Sequence, residues 1–150
     1  RVMMLFAFSL SESVLAAGKK PFQLSDVMKE SAILRKAGVN SFLYLTFGGY
    51  GETPATVEET ISHIPYVAPS YTLMDHGFRI QSGTELRDLA VTQGIISPED
   101  DCFKATFYHS PETPAEMLDA RIKKYHRQHR LIGRSGISWA TRFVWDKVRP

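Results

Sequence analysis

The usual reactive side chains are sparse in this chain, so its chemistry would have to come from small polar and glycine-rich turns. The densest of these is Gly48-Gly-Tyr-Gly-Glu52, three glycines in four positions followed by an acid. Glycines leave backbone N–H groups open to a small ligand, and Glu52 would set a carboxylate beside them. The bland alternative is that Glu52 only favours the start of the helix opening at Thr53-Pro54, worth about 0.3–1 kcal/mol. Ser9-Leu-Ser11 and Ser82-Gly-Thr84 are two further turns of small polar residues. The single cysteine, Cys102, permits no internal disulfide and supplies too few thiolates for an iron–sulfur cluster or a structural zinc. His126 and His129 lie three apart on a predicted helix and could share a metal. No third ligand accompanies them, and with Lys123, Lys124, Arg127, Arg130 and Arg134 they read as a solvated basic face.

The elements that must position these turns alternate along the chain. Phe42 to Phe47, rich in aromatic residues, predicts a buried strand. Thr53 then suits an N-cap and Pro54 a first helical position, opening a helix to about Ile64 with Val57, Ile61 and Ile64 on one stripe. Pro65 and Pro69 bracket the connection after it. Upstream, Val2 to Phe8 predicts another buried strand. The same run imitates a secretory signal, but Ser9-Leu-Ser-Glu-Ser13 interrupts it and it is far too short for a membrane span. Beginning inside a strand suggests a fragment of a longer chain. A helix from Leu24 to Gly38 carries Ser25 as cap, Asp26 and Glu30 near its positive end, and Gly38 as left-handed exit.

Further on, Tyr71–Met74 and Phe78–Ile80 read as extended segments around an Asp75-His-Gly77 turn. A helix follows Ser82-Gly-Thr84 and ends at Gly94. Thr113-Pro-Ala-Glu116 has the form of a capping box and predicts a helix carrying Met117, Leu118, Ile122 and Tyr125 inward. The segment from Gly133, with Trp139 and Trp145, shows no clear period.

Strands separated by helices and short loops predict βαβ units and a parallel sheet. Right-handed crossovers put every strand's C-terminal end on one edge. Ser9-Leu-Ser11, Gly48–Glu52 and Ser82-Gly-Thr84 all fall there, where open α/β sheets and barrels carry their sites. At 150 residues and 43% hydrophobic, the chain can bury one ordinary core. A net charge of +2 makes no case for nucleic acid, and no segment predicts a membrane span. Low cysteine usage makes a reducing, cytoplasmic setting the default.

Several motifs together resemble a known family. Gly38-Val-Asn-Ser-Phe-Leu-Tyr-Leu-Thr-Phe-Gly-Gly-Tyr-Gly-Glu-Thr53, followed by Val57-Glu-Glu-Thr60, resembles the fifth βα unit of radical S-adenosylmethionine enzymes. There the pattern is commonly aliphatic-x-Gly-x-Pro-Gly-Glu-Thr. Gly77-Phe-Arg-Ile-Gln-Ser-Gly-Thr-Glu-Leu86 resembles the sixth strand and its turn, and Phe8-Ser-Leu-Ser-Glu-Ser-Val-Leu15 with Lys20 the end of the fourth. Gly94-Ile-Ile-Ser-Pro-Glu-Asp-Asp101 and Phe107-Tyr-His-Ser110 look like members whose barrel follows a cobalamin-binding domain. Tyr50 and Ser82 stand where the pattern commonly has proline, and Phe8 where many relatives have Glu or Gln.

The resemblance implies an α/β fold: about three C-terminal βα units of a partial (β/α) barrel over residues 1–110, then a C-terminal helical extension over 111–150. It implies S-adenosylmethionine as cofactor, reduced at a 4Fe–4S cluster to give a 5′-deoxyadenosyl radical. Residue by residue, Ser9, helped by Ser11, would meet the ribose and Phe47 would pack on adenine. Gly48 and Gly49 would let the backbone approach the nucleoside, and Glu52 would shape the loop. The backbone of Gln81, Ser82 and Gly83 would meet the adenine edge. The three-cysteine cluster motif belongs to an earlier βα loop and is absent, so the chain alone is expected to be inactive. Its partner would be the missing N-terminal barrel half, from the same gene or a separate chain. The small-molecule substrate stays unread, and cobalamin is left open because its domain would precede this chain. The alternative is a non-catalytic α/β module that binds a nucleotide or a partner through its basic C-terminal helix.

Overall fold

A computed structural model describes residues 1–129. Three strands form a parallel sheet in the order β1 (Val2–Phe8), β2 (Asn40–Phe47), β3 (Tyr71–His76). The connections carry α1 (Glu12–Ala17) and α2 (Leu24–Lys36) between the first two strands, and α3 (Pro54–Val67) between the second and third. The short β4 (Phe78–Arg79) leaves this sheet and pairs antiparallel with β5 (Phe107–Tyr108). Between them lies α4 (Glu85–Thr92), and α5 (Ala115–Gln128) returns to pack on β3. This is a mixed α/β fold with βα units; the described residues close no barrel.

Local details depart from the sequence expectations in physically readable ways. Ser25 does not cap α2; Gln23 takes that place, its backbone N–H donating to the Asp26 carboxylate at 3.0 Å. Thr53 caps α3 as expected, accepting from the Thr56 N–H at 3.3 Å. That helix runs past Ile64 and through Pro65, ending at Ala68 in the left-handed conformation. A proline so near the end deletes one hydrogen bond, while Val67 beyond it gains nearly full burial. The capping box at Thr113 does not form: the N-cap is Pro114, and the Thr113 hydroxyl is buried without a hydrogen-bond partner among the described residues. Helix α1, which carries no strong periodicity, was not expected and buries only Leu15. The unassigned segment from Gly133 and the residues Arg130 and Arg134 lie outside the described residues.

One face of the sheet holds the main core. Leu5 and Ala7 of β1, Leu43, Leu45 and Phe47 of β2, and Met74 of β3 pack against Val27 of α2, Val57, Ile61 and Ile64 of α3, and Leu118 and Tyr125 of α5. A second cluster under α4 gathers Ile80, Ala90, Ile96, Cys102 and Tyr108. The opposite face of the sheet carries no helix among the described elements. Register aligns Met4, Phe42 and Tyr71 in one row and Phe6, Tyr44 and Leu73 in the next. Within these rows Phe42 stacks on Tyr71 at 4.6 Å and Phe6 tilts against Tyr44 at 5.4 Å between centroids. Phe6 is 56% exposed and Met4 44%.

Parallel sheets are normally covered on both faces, and an apolar face beside an unpaired edge strand drives association. The chain alone should therefore self-associate through this face. Sedimentation velocity should show an average mass rising with concentration, and Phe6→Lys, at an exposed position, should return it to monomer. A parent chain that stays monomeric across the range contradicts the argument.

Candidate functional site

At the C-terminal edge of the parallel sheet the three strand ends surround a cleft of about 520 Å³. The end of β1 contributes Phe8 and Ser9, the turn after β2 Gly49 and Tyr50, and the segment after β3 Phe78. Val14, Leu15 and Ala17 of α1 and Leu86 and Leu89 of α4 complete a largely apolar wall. Phe8 sits there because the β1–β2 register slips between Phe6 and Phe8, and its φ of +63° turns it out of the strand. A bulge of this kind re-aims a side chain. Phe8 stacks on Phe78 at 6.3 Å between centroids, and Gly49 makes room for that ring, since a Cβ there would come within 3.1 Å of it.

Two lysines bring charge to this wall. Lys19 forms an ion pair with Glu85 of α4 at 2.6 Å. Lys20 has no carboxylate partner among the described residues; its ammonium lies 3.7 Å from the Phe8 ring centroid. That cation–π contact favours the charge, while burial holds the Lys20 pKa below the usual lysine value.

Behind the wall, the glycine turn is fixed from inside. The Glu52 carboxylate accepts the Gly48 backbone N–H through Oε2, and Oε1 is buried without a partner. Its own backbone N–H donates to the Gly49 carbonyl at 3.1 Å. Burial pushes the Glu52 carboxyl up from 4.5 to about 7, opposed by the hydrogen bonds from the Gly48 and Gly49 amides.

The residues singled out from sequence are distributed unevenly around this cleft. Ser9 and Gly49 line it. Ser9 is nearly fully buried, and its hydroxyl pairs with Thr60 of α3 at 2.9 Å. Ser11 does not reach the cleft; its hydroxyl donates to Glu59 of α3 at 2.6 Å and also contacts Ser13. Phe47 is fully buried in the main core. Gly48 and Glu52 stand behind the lining, and Gln81, Ser82 and Gly83 form an exposed turn outside it. The aromatic pair Phe8–Phe78, the cation Lys20 and the apolar Leu86 and Leu89 line the cleft beyond the residues expected from sequence. Phe8, Lys20, Phe78 and Leu86 lie within the motifs that carry the resemblance, and Phe8 ends a strand, but nothing local marks them as the lining of a cleft. No group of three or more potential metal ligands occurs among the described residues, and no helix described is long and apolar enough to cross a membrane.

No protein-family model and no curated protein matches the chain. Among solved structures it is similar to the radical S-adenosylmethionine methyltransferase TsrM from Kitasatospora setae, determined with cobalamin and a 4Fe–4S cluster bound. The TM-score is 0.49 at 20% identity, over 53% of this chain and 15% of that chain.

Glu52 makes a measurable pH signature. A folded-state pKa raised from 4.5 to about 7 means the folded protein holds this proton more tightly than the unfolded chain does. The resulting stability is complete below about pH 4.5 and is lost as pH rises through 7, to the extent of about 3 kcal/mol. Glu52→Gln keeps the shape and removes the titration. In urea denaturation its stability relative to the parent should improve by about 3 kcal/mol from pH 4.5 to pH 7.5. Parallel profiles for the two proteins would show that Glu52 does not titrate in this way.

Proposed function

We propose that this chain is the C-terminal part of a radical S-adenosylmethionine enzyme, and that its cleft forms the nucleoside side of the S-adenosylmethionine site. The observation that carries the reading is the convergence of three strand ends on one cleft. The turns that resemble the family's fourth and fifth βα units meet there around a glycine backbone and an aromatic pair. The open aromatic rows of the sheet suit the same reading, since in a barrel they would form the interior wall facing substrate.

The residues present fit an adenosyl ligand in specific ways. Phe8, Phe78 and Leu89 offer flat apolar surface to a base, and the Gly49 backbone lets a nucleoside approach closely. Lys20 would face an anionic group such as the carboxylate of the cofactor, for which no acidic partner competes among the described residues. The Ser9 and Ser11 hydroxyls already bond to Thr60 and Glu59, so a ribose would be met by backbone and by Thr46 or Tyr50, which line the cleft. An iron–sulfur cluster does not fit the residues of this chain. Cys102, the only cysteine, is buried under α4 in the second core. The cluster, whose role is to supply an electron to the cofactor, would have to be held by a preceding barrel half. Any cobalamin would likewise be bound outside this chain.

The reading of a nucleotide-binding or partner-binding module through the basic helix finds less support. Of its basic face, Lys123 is spent on Asp119 at 3.4 Å, and Arg130 and Arg134 lie outside the described residues.

Two measurements test the proposal. Calorimetric titration of S-adenosylmethionine should give binding that Gly49→Val weakens by about tenfold or more, because its side chain drives Phe78 into the cleft. Lys20→Met should weaken S-adenosylmethionine but leave 5′-methylthioadenosine, which lacks the carboxylate, bound as tightly or more tightly. In the full-length protein, anaerobic reconstitution with iron and sulfide should yield a brown chromophore and 5′-deoxyadenosine. Absence of both, with no cysteine triad upstream, overturns the proposal.

A further inference from the structure

We propose that His109, held by His76 and Asp119, is a positioning residue for the glycine turn and gives that turn an acid-sensitive hold. The inference concerns the chain's own conformation and needs no ligand. The His109 ring occupies the space left by two glycines. A Cβ on Gly77 would come within 2.9 Å of the ring, and one on Gly48 within 3.1 Å. Both glycines have φ near +87°, at +86° and +88°, where other residues are strained. The next residue completes the attachment. Ser110 donates its N–H to the Gly48 carbonyl at 2.9 Å and its hydroxyl to the Glu52 carbonyl at 2.7 Å. Residues 109 and 110 thus stitch the turn after β2 to the segment leading into α5.

The stitch is braced by a pair of imidazoles. His76 Nδ1 lies 2.9 Å from His109 Nε2, and His76 Nε2 lies 3.4 Å from Asp119 Oδ1 of α5. A contact between two ring nitrogens needs one donor and one acceptor, so it accommodates one proton between the rings. A second proton makes both nitrogens donors and sets two like charges in contact. Burial first, then the charge on His76, holds His109 below the usual histidine value; Glu116 and a hydrogen bond to the Phe107 backbone act the other way. The remaining charged neighbours do not remove the conflict. Lys123 shares Asp119 at 3.4 Å, Asp75 accepts the His76 backbone N–H at 2.8 Å, and Glu52 bonds to Gly48 on the other side of the turn.

A depressed histidine contributes stability that is present above its unfolded value of about 6.5 and lost as pH falls. Acid therefore parts the rings, and the 109–110 strip loses its register on Gly48 and Gly77. Hydrogen exchange read by mass spectrometry tests this on the chain itself. After correction for intrinsic rates, and in a Glu52→Gln parent that removes this carboxyl's opposite titration in the same window, peptides covering 47–52 and 107–113 should lose about tenfold protection between pH 7.5 and pH 5, while the β2 peptide 41–46 keeps its own. His76→Gln can donate to His109 when that ring is neutral and accept from it when charged, so its loss of protection should be clearly smaller than the parent's, burial of His109 alone remaining; His76→Asn provides the same comparison if the first variant folds poorly. The inference is overturned if the parent shows no local loss. It is equally overturned if 41–46 opens in parallel, or if the His76 variants lose protection to the same extent.

Discussion

The structure depends on a carboxyl group that water scarcely reaches. Glu52 is 1% exposed, and it satisfies the Gly48 amide, which would otherwise be an orphan donor beneath the sheet edge. Burying an ionised carboxylate costs several kcal/mol unless hydrogen bonds replace its water. Here the amides replace only part of it, because Oε1 has no partner among the described residues. The group resolves the shortfall by holding its proton to about pH 7. A turn built this way is held by its interior rather than by its surface. Its outer side is therefore free to present Gly49 and Tyr50 to a cleft.

A second constraint is the one-sidedness of the sheet. Helices α2, α3 and α5 cover the face carrying Leu43, Leu45 and Phe47. The other face presents stacked aromatic rows that lead toward the same edge as the cleft. Pairing aromatics across neighbouring strands contributes roughly 0.2–1 kcal/mol per pair, far less than cover by a packed layer would. The rows are thus a surface shaped by packing yet lacking its complement among the described residues. Helix α5 shows the opposite outcome: its Leu118 and Tyr125 enter the main core, and its Arg121 reaches across to Glu58.

Much of the fold was legible because hydrophobic period and punctuation agreed. The strands ending at Phe8 and Phe47, the Thr53–Pro54 helix start and the left-handed exit at Gly38 all follow local rules. The site was less legible, for reasons of parity and distance. Phe42 to Phe47 reads as one nearly continuous apolar run, which hides the alternation that sends Leu43, Leu45 and Phe47 to the core and Phe42, Tyr44 and Thr46 to the open face. Ser9 and Ser11 look available in the chain, yet Thr60 and Glu59, some fifty residues on, take their hydroxyls. Ser82 and Gly83 are carried outward because β4 abandons the sheet for an antiparallel partner at Phe107–Tyr108. No local signal announces that change of partner.

Phe8 shows how these constraints meet. A left-handed backbone on a bulky residue costs about 1–2 kcal/mol, so it persists only where its surroundings compensate. The stack on Phe78 and the Lys20 ammonium over the ring supply that compensation. The same contacts make the cleft responsive. A flat ligand entering it competes with Lys20 for the face of Phe8, and the displaced ammonium, already disfavoured by burial, is then left without a counter-charge among the described residues. A ligand that brings its own anion resolves both costs at once, whereas a neutral one resolves neither. The strained strand end and a lysine without a carboxylate partner among the described residues are therefore one feature. On the proposed function, together they would favour a ligand that joins an aromatic group to a negative charge.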